Sequence, residues 1–471
     1  MSAVIVLDVG KTVSKLSLWS PEGGLIARQV RENARVTAGA RAVLDVDGIS
    51  EWLISTLTQF AALADVGHII PVAHGAGLAI LRSERLVMAP LDYETKIPDN
   101  IRLAYASERD AFDVTGSPYL ADGLNAGTQL YWLSQDNPRI LDQASIMPWA
   151  QYWAWYMSGE MRSEVTSLGC HTDLWSPKDQ GYSPMACRLG WADRFAPIAF
   201  AGEPIGNIRA DLAHKTGLSP DVLIHCGLHD SNAALVAASG FREFAENEAT
   251  IVSTGTWFVT MRRPGKASAL NKLPDGRDCL INVDAWNRAV PSARFMGGRE
   301  IEGLVAPDAQ RVDRQQDQAC LMKALPDVVG NDGHLVPCFA PGFGPFPENT
   351  GQWVQRPETP EARGAAICLY AALMTNTCLD LVGSSGTILV EGRFARAEPI
   401  VRALASLRPG DDIYVAEAQN DVSFGALRLI NPRLAPQGSL KKVSPLKESL
   451  DAYRESWVEL VAETTKDCVP T

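Results

Sequence analysis

The chain has 471 residues, a length that predicts two large domains, and its 46% hydrophobic and 21% charged residues are typical of a soluble globular protein. The formal net charge of −12 argues against a broad nucleic-acid surface, because such binding depends on clustered Lys and Arg. No apolar run approaches the roughly 20 residues of a membrane span, and the nine cysteines occur without a CxxC spacing. We therefore expect a cytoplasmic protein with reduced thiols, without disulfides or structural zinc.

The first predicted element is a hairpin around LDVGKTVSK (Leu7 to Lys15). Apolar residues start at Ala3 and alternate again from Val13, which predicts two strands joined by a tight polar turn. PEGGLIARQV then adds a third strand. Gly10 is expected to supply the positive φ that such a turn needs.

The same turn is a candidate phosphate site. Its backbone N–H groups would point into one concavity, surrounded by two lysines and two hydroxyls: Lys11, Thr12, Ser14 and Lys15. Asp8 makes sense beside a phosphate if it holds a metal ion, directly or through water. The alternative is an ordinary hairpin whose polar residues only satisfy turn hydrogen bonds.

Helices and strands alternate further along the chain. Helical spacing over Gly48 to Leu63 and a buried strand in HIIPVAHG (His68 to Gly75) indicate the α/β class. The stretch PWAQYWAWYMSGE predicts a helix with Pro148 in its first turn. We expect its tryptophans to pack in the core; stacking on a sugar ring is the alternative.

A strand, a turn and an Ala-rich helix are predicted for DVLIHCGLHDSNAALVAAS, which starts at Asp221. Asp230 falls at the strand end, just before the helix, where ligands of α/β folds gather. The next stretch, Phe241 to Ala249, is charged and contains the expected domain boundary, which gives domains 1–243 and 244–471.

The second domain is predicted to open with another hairpin, TIVSTGTWFVTM, of the same make-up as the first. Long loops are expected from Pro264 to Pro360. A helix over Glu361 to Val382, a strand over Gly386 to Val390 and a last helix over Pro445 to Lys466 follow. Two Gly-centred hydroxyl-rich loops suggest related halves that hold a nucleoside triphosphate from both sides.

Three segments together carry a family resemblance. DVGKTVSK, GLHDSNAAL and STGTW, in this order, resemble the two phosphate loops and the catalytic-aspartate segment of the FGGY carbohydrate kinases, in the actin, hexokinase and heat-shock-ATPase superfamily. The pair His229 and Asp230, and GTW, look most like the rhamnulokinase and L-fuculokinase branch. QLYWLSQ resembles a family signature with Gln129 where Lys is usual. The resemblance implies an α/β fold of two actin-like (ribonuclease H-like) domains with a ligand cleft between them.

The resemblance also implies an activity and its residues. It implies ATP-dependent phosphorylation of a sugar hydroxyl, on a ketose or deoxyketose such as L-rhamnulose or L-fuculose, with Asp230 as the base and Asp8 near Mg²⁺. The implied phosphate-binding residues are Gly10, Lys11, Thr12, Ser14, Lys15, Thr254, Gly255 and Thr256. The implied sugar contacts are His74, Gly75, Asp92, Glu94, His229 and Asp230. At the adenosine site, Glu391, Gly392 and Arg393 replace the usual Gly-rich turn.

Other readings stay open for single residues. Asp230 could be a helix N-cap, His74 a capped turn, and Asp92 with Glu94 a solvated turn. A dinucleotide-dependent oxidoreductase is disfavoured, because Ile80 stands where a third glycine should be and Asp92 follows Gly75 by only 17 residues.

The alternative for the whole chain is a catalytically silent sugar or nucleotide sensor of the same fold. A DNA-binding helix-turn-helix is not expected, since the first strand starts at Ala3. The expected partners are thus a sugar and ATP, without nucleic acid or membrane, and a homodimer is one open form of assembly.

Overall fold

The computed structural model describes residues 2–245, 248–265, 272–417 and 421–467. The chain divides into two compact units. The first comprises Met1–Gly240, Ile281–Ala289 and Asn420–Pro436, and the second comprises Phe241–Leu280, Val290–Gln419 and Gln437–Thr471. The sequence predicted two continuous segments, 1–243 and 244–471. Two later segments instead belong to the first unit, a return of the chain that a charged stretch near residue 245 does not reveal.

The described strands are β1 (Ala3–Val9), β2 (Val13–Trp19), β3 (Leu25–Glu32), β4 (Val36–Ala38), β5 (Arg41–Val43), β6 (Val66–Ala73), β7 (Leu78–Arg82), β8 (Arg85–Leu86), β9 (Ser145–Pro148), β10 (Trp175–Ser176), β11 (Gly181–Tyr182), β12 (Pro204–Asn207), β13 (Leu223–His225), β14 (Leu228–His229), β15 (Ala249–Thr254), β16 (Phe258–Arg263), β17 (Cys279–Val283), β18 (Ala289–Phe295), β19 (His334–Val336), β20 (Gln352–Val354), β21 (Thr387–Gly392), β22 (Asp412–Ala416) and β23 (Leu440–Lys442).

The described α-helices are α1 (Val46–Ala61), α2 (Asp99–Glu108), α3 (Phe112–Thr115), α4 (Ala126–Asp136), α5 (Trp149–Ser158), α6 (Val165–Leu168), α7 (Pro184–Arg188), α8 (Ala210–Thr216), α9 (Asp230–Ala238), α10 (Arg242–Ala245), α11 (Gly297–Asp308), α12 (Gln318–Gly330), α13 (Pro360–Leu381), α14 (Glu398–Leu407), α15 (Val422–Ile430) and α16 (Asp451–Asp467). Short 3₁₀ helices cover Ala192–Arg194, Gln315–Asp317 and Arg393–Arg396.

The main sheet of the first unit has the strand order β12-β13-β6-β1-β2-β3, with β14 also paired to β6. The predicted meander is confirmed, because β1, β2 and β3 pair antiparallel in sequence order. β6 lies parallel to β1, and β13 and β14 lie parallel to β6. The carboxyl ends of β1, β6 and β14 therefore meet at one edge of the sheet, where ligands of α/β folds gather.

The main sheet of the second unit repeats this plan, with the order β17-β18-β16-β15-β21-β22-β23. β15, β16 and β18 pair antiparallel, and β21 and β22 continue the sheet in parallel. The two units thus share one strand arrangement although the chain shows no internal sequence repeat. Many different sequences contain the same pattern of buried strands, so two units can share a strand arrangement without sharing sequence.

Helices cover both faces of the first sheet, and the alternation along β1 sets which face each residue joins. Ile5 and Leu7 pack in a cluster with residues of α1 and α5, including the buried tryptophans Trp149 and Trp153. The predicted core role of these tryptophans is confirmed. Val4 and Val6 pack on the opposite face with residues of α9 and α15. Asp8 continues this second alternation, so β1 carries it toward the face that α9 covers.

One expectation is wrong, and one is incomplete. Gly10 does not have a positive φ. A Cβ there would lie 2.8 Å from the carbonyl oxygen of Val13, so the turn needs glycine for a close backbone approach. The stretch Pro264 to Pro360 contains long loops, such as residues 337–351, but β17, β18, α11, α12, β19 and β20 also lie in it, and the sequence analysis did not predict these elements. Helix-interior prolines at Pro307 and Pro326 hid two of these elements from pattern reading.

Helix α13 is long and apolar enough, by length and composition, to cross a membrane, which the sequence analysis did not anticipate. In the structure 83% of its most apolar window is buried inside the protein. Its buried residues include Tyr370 and Met374, and Leu379 joins the cluster with Ile388 and Val390 of β21. The helix therefore packs as the core helix of the second unit.

Candidate active site

Asp8 lies at the end of β1 and pairs across the hairpin with Lys15 of β2. The Lys15 ammonium is 3.4 Å from Oδ2 of Asp8. The pKa of Asp8 is raised to about 6, mainly by burial; Lys15 lowers it, and the charges of Asp230 and Asp421 contribute to the rise. The end of β1 thus carries more negative charge than its one lysine compensates.

The turn between β1 and β2 is held by Asn33, a residue that the sequence analysis did not single out. Its amide Nδ2 donates to the carbonyl oxygen of Gly10 at 2.8 Å, and its backbone N–H donates to Thr12. Ser14 is fully buried and donates to Oδ1 of Asn33 at 2.8 Å. In this structure the Ser14 hydroxyl shapes the turn, whereas Thr12 is exposed, and the phosphate contact of Ser14 stays a prediction.

Lys11 contacts the turn that carries the predicted sugar residues. Its ammonium forms a short ion pair with Asp92 and lies 3.6 Å from Glu94. It also lies 4.8 Å from the ring centre of Tyr93. Asp92 Oδ1 accepts a hydrogen bond from the backbone N–H of Glu94 at 2.8 Å. The structure therefore brings together a residue predicted for phosphate and residues predicted for sugar.

His74 follows β6 and is buried. Its Nδ1 lies 2.7 Å from the carbonyl oxygen of Gly75, which places the ring proton on Nδ1 because a carbonyl can only accept. Nε2 is then an acceptor, and it has no partner within the described residues. Burial lowers the pKa of His74, so the ring is neutral at neutral pH. The Tyr93 ring packs edge-on against it, with centroids 5.3 Å apart.

His229, like His74, is a buried histidine with one ring nitrogen that has no partner among the described residues. Its Nε2 lies 3.2 Å from Oδ1 of Asp230, an arrangement that places the ring proton on Nε2. Nδ1 is buried without a partner among the described residues, and burial lowers the pKa of His229. A Cβ on Gly75 would lie 3.0 Å from Nε2 of His229, so this glycine lets the two histidine segments approach.

Asp230 is the first residue of α9, and His229 holds the N-cap position. The alternative that Asp230 is the helix cap is therefore wrong. Its Oδ1 accepts from the backbone N–H of Ser231 at 2.6 Å and lies 3.3 Å from the Ser231 hydroxyl, in addition to His229. Among the described residues, all of these contacts engage Oδ1, and the side chain is 32% exposed. Oδ2 is the carboxylate oxygen left to receive a proton.

Asp421 is a further acidic residue that sequence reasoning missed. It caps α15 by accepting from the backbone of Ser423 and Phe424, and its Oδ2 lies 2.7 Å from Arg28. Its charge acts on Asp8, although about four hundred residues separate the two along the chain. Asn232 of α9 was also missed, and it is fully buried with neither amide atom paired within the described residues. A polar residue inside an Ala-rich helix was the available signal.

In the second unit, the turn between β15 and β16 presents Gly255 and Thr256, which are both exposed. The carbonyl oxygen of Thr256 accepts from the backbone N–H groups of Gly298 and Arg299, at 3.1 and 3.4 Å. The predicted loop therefore rests on the start of α11. The contribution of Gly298 could not be read from sequence, because it lies outside the loop it supports.

Other residues predicted for this unit stabilise the turn by their own contacts. The buried Thr254 hydroxyl donates to the carbonyl oxygen of Glu391 at 2.5 Å and accepts from Phe394. Ser253 donates to the Glu391 carboxylate at 2.7 Å. The Thr254 hydroxyl thus shapes the turn in this structure, and its phosphate contact stays a prediction.

The segment after β21 joins the same turn. Gly392 has φ +89°, and a Cβ there would lie 2.4 Å from the carbonyl oxygen of Thr254. Arg393 forms ion pairs with Glu302 and with Asp313, the latter at 2.7 Å. The structure therefore brings Glu391, Gly392 and the second loop together, and it engages Arg393 with carboxylates.

Within the described residues, no group of three or more His, Cys, Asp or Glu side chains has the arrangement of a metal site. Asp8 nevertheless fits a role toward Mg²⁺, because it is a buried carboxylate on which the charges of two further acidic residues act. Mg²⁺ is usually bound through one or two carboxylates together with substrate phosphates. The donor set near Asp8 matches that limited number.

Known proteins resemble both halves of the chain. The family model of the carbohydrate kinase FGGY C-terminal domain matches residues 246–438. An L-fuculokinase from Salmonella typhi is 26% identical over 298 residues, which cover 59% of this chain and 60% of that protein. An L-fuculokinase from Haemophilus influenzae is 29% identical over 185 residues, 37% of either chain. The chain thus aligns with less than two thirds of the length of these two relatives.

Solved structures extend the comparison to the whole chain. A carbohydrate kinase from Novosphingobium aromaticivorans is 52% identical, with a TM-score of 0.94 over 98% of this chain and 99% of that one. Plasmodium falciparum glycerol kinase is 11% identical, with a TM-score of 0.81 over 100% of this chain and 98% of that one, which shows a shared fold. The predicted fold of two actin-like α/β domains is confirmed, and the chain belongs to the FGGY carbohydrate kinase family.

Proposed function

We propose that this protein transfers the γ-phosphoryl group of ATP to a hydroxyl of a sugar, with Asp230 as the base. The observation that carries the proposal is the environment of Asp230. Oδ1 is occupied by His229 and Ser231, which leaves Oδ2 as the acceptor beside two buried histidines with free ring nitrogens. A base held by hydrogen bonds on one oxygen keeps the other oriented toward its substrate.

The chemistry needs little from the base beyond orientation. The sugar oxygen forms a bond to the γ-phosphorus, the bond from that phosphorus to the β–γ bridging oxygen breaks, and ADP leaves. The proton of the sugar hydroxyl goes to Oδ2 of Asp230. Because the transition state of phosphoryl transfer is loose, the protein acts mainly by positioning the nucleophile and by compensating charge.

The free nitrogens of His74 and His229 support a polyol as the acceptor substrate. Both rings are neutral, and both free nitrogens are hydrogen-bond acceptors, so each calls for a donor from the ligand. Sugar hydroxyls are such donors. Gly75 gives them room, and Asp92 would offer a further carboxylate after exchange of its contact with Lys11.

Lys11, Lys15 and the exposed Thr12 would hold phosphates from the first unit, together with the backbone at Gly10. Gly255 and Thr256 would do so from the second, and Glu391 and Gly392 would lie toward the nucleoside. Mg²⁺, held near Asp8, would neutralise phosphate charge when bound. We place the activity in the cytoplasm, where the free cysteines of the described chain would stay reduced.

The similarity to two L-fuculokinases supports a ketose or deoxyketose as the substrate. A coupled assay of ADP release with MgATP, across ketoses, aldoses and polyols, tests both levels of the proposal. We expect L-fuculose or L-rhamnulose to give the highest kcat/KM. Turnover of only an aldose or a polyol would contradict the substrate class, and binding of sugar and nucleotide without ADP release would instead indicate a sensor.

A further inference from the structure

Glu164 is a fully buried carboxyl group that the proposed reaction does not use. It occupies the N-cap of α6, and its contacts are with the backbone and hydroxyl groups of Thr166 and Ser167. Burial raises its pKa to about 7 against the lowering effect of these four hydrogen bonds. Among the described residues Glu164 has no basic partner, and burial of a carboxyl group without one is costly.

The Thr166 hydroxyl joins Glu164 to the segment that ends in Asp230. Thr166 Oγ1 donates to Oε2 of Glu164 at 2.6 Å. With its proton directed there, the same oxygen accepts from the backbone N–H of His229 at 2.9 Å. A hydroxyl has one donor and two acceptor positions, so Glu164 decides which way the hydroxyl points.

The other end of the same segment is fixed as well. Gln151 Nε2 donates to the carbonyl oxygens of Cys226 and Gly227, at 3.2 and 3.0 Å. Gly227 has φ +82°, and a Cβ there would lie 2.2 Å from the carbonyl oxygen of Pro71. Buried side chains thus hold the backbone on both sides of β14, and the next residue after β14 is Asp230.

We propose that Thr166, with its hydroxyl oriented by Glu164, is a positioning residue that fixes the backbone at His229 and thereby the direction of the Asp230 carboxylate. The inference rests on the proposed role of Asp230. A misplacement of about 1 Å at the reacting centre can cost about 10²-fold in rate. Loss of the hydroxyl should therefore affect turnover more than binding.

The test compares Thr166→Val with Thr166→Ser, at pH 8 in a coupled ADP-release assay with MgATP and the more active of L-fuculose and L-rhamnulose. Valine keeps the shape and removes the hydroxyl, and we expect kcat to fall by roughly 10-fold to 10²-fold. Serine restores the hydroxyl, and its kcat should return to within about threefold of wild type. The Kd of ATP, measured by calorimetry, should stay unchanged in both variants.

Thr56→Val is the matched control, because Thr56 is equally buried and its hydroxyl donates only within α1, to Trp52 at 2.8 Å. It should lower Tm without lowering kcat of the folded protein. Wild-type kcat in Thr166→Val would overturn the inference, and so would a loss that Thr166→Ser fails to restore. If Thr166→Val does not fold, Glu164→Gln carries the test, since a neutral amide accepts a weaker hydrogen bond. We then expect a smaller fall in kcat, and unchanged kcat would overturn the inference.

Asp230→Asn, assayed in parallel, separates this inference from the proposed function. If Asp230→Asn keeps wild-type turnover, the proposed role of Asp230 as the base and the positioning role of Thr166 are both refuted. If Asp230→Asn is inactive while Thr166→Val turns over normally, the positioning role alone is refuted.

Discussion

His229 holds the carboxylate of Asp230 by one oxygen, with 3.2 Å between Nε2 and Oδ1. The backbone and hydroxyl of Ser231 approach the same oxygen. This asymmetry separates the two oxygens of one carboxylate into a fixed acceptor and a free one, and it is the basis of the first prediction.

Asp230→Asn should abolish most turnover while leaving the fold intact. The asparagine oxygen can still accept from Ser231 and His229, but the amide cannot take the proton of the sugar hydroxyl. We expect kcat to fall by roughly 10² to 10⁴-fold, with unchanged Tm and a nearly unchanged Kd for ATP. Steady-state kinetics and calorimetry check this, and a folded variant within threefold of wild-type kcat would remove Asp230 from the mechanism.

Asp8→Asn should stabilise the ligand-free protein at pH 7. The folded pKa of Asp8, about 6, lies above the ordinary value of 3.8, so the folded state binds the proton more tightly than the unfolded chain does. Stability is therefore lost as pH rises from about 4 to about 6. The substitution should increase the free energy of unfolding at pH 7 by up to about 3 kcal/mol, since one pKa unit corresponds to about 1.4 kcal/mol.

The measurement is thermal unfolding in EDTA at pH 4 and pH 7, with kcat recorded in parallel. Asp8→Asn should raise Tm at pH 7 but not at pH 4, and it should lower activity. A variant less stable than wild type at pH 7 would show that the contact with Lys15 outweighs the burial of the charge.

Lys11 and Asp92 should behave as an energetic unit. Asp92→Asn should raise the KM for the sugar by about fivefold to tenfold, as expected for one hydrogen bond of about 1 kcal/mol, and Lys11→Met should raise the KM for ATP. Because the two side chains form an ion pair, the double variant should cost less than the sum of the single ones. Additive effects in a double-mutant cycle would mean that the pair does not couple the two subsites.

The KM for the sugar should be constant from pH 7 to pH 9. Burial lowers the pKa of His74 and of His229 below the ordinary 6.5, so both rings keep an unprotonated acceptor nitrogen throughout this range. Protonation at lower pH removes the acceptors, and KM should then rise. His74→Phe keeps a ring against Tyr93 and should raise KM by about tenfold, whereas a KM that is unaffected by this change would exclude His74 from the sugar site.

Gly392→Ala should destabilise the second unit. The residue has a positive φ, and an added Cβ would lie 2.4 Å from the carbonyl oxygen of Thr254. We expect the free energy of unfolding to fall by about 1 to 3 kcal/mol because of the strained backbone, as measured by denaturant unfolding. Gly410→Ala is the control, because no atom lies within 4 Å of a Cβ there. Equal effects at the two positions would contradict the close approach.

The elements that could be predicted from the sequence are those with local signals. Alternation from Ala3 to Val9 and from Val13 to Trp19 predicts the first hairpin, and the same alternation places Asp8 on one face of its strand. The three motifs in order were enough to predict the family, and each lies at the end of a strand, where local patterns are readable. The hydrophobic pattern did not predict the helices that contain Pro307 and Pro326, because proline is normally unfavourable inside a helix.

Which distant side chains interact with one another became visible in the folded chain alone. The charge of Asp421 acts on Asp8, and the Thr166 hydroxyl accepts a hydrogen bond from His229, although the residues of each pair lie far apart along the chain. The structure also showed that Ser14 and Thr254, which have the right chemistry for phosphate, are buried and already hydrogen-bonded. The sequence shows which chemical groups are present. Burial and hydrogen-bond partners decide whether a hydroxyl can reach a ligand, and both depend on packing between distant segments.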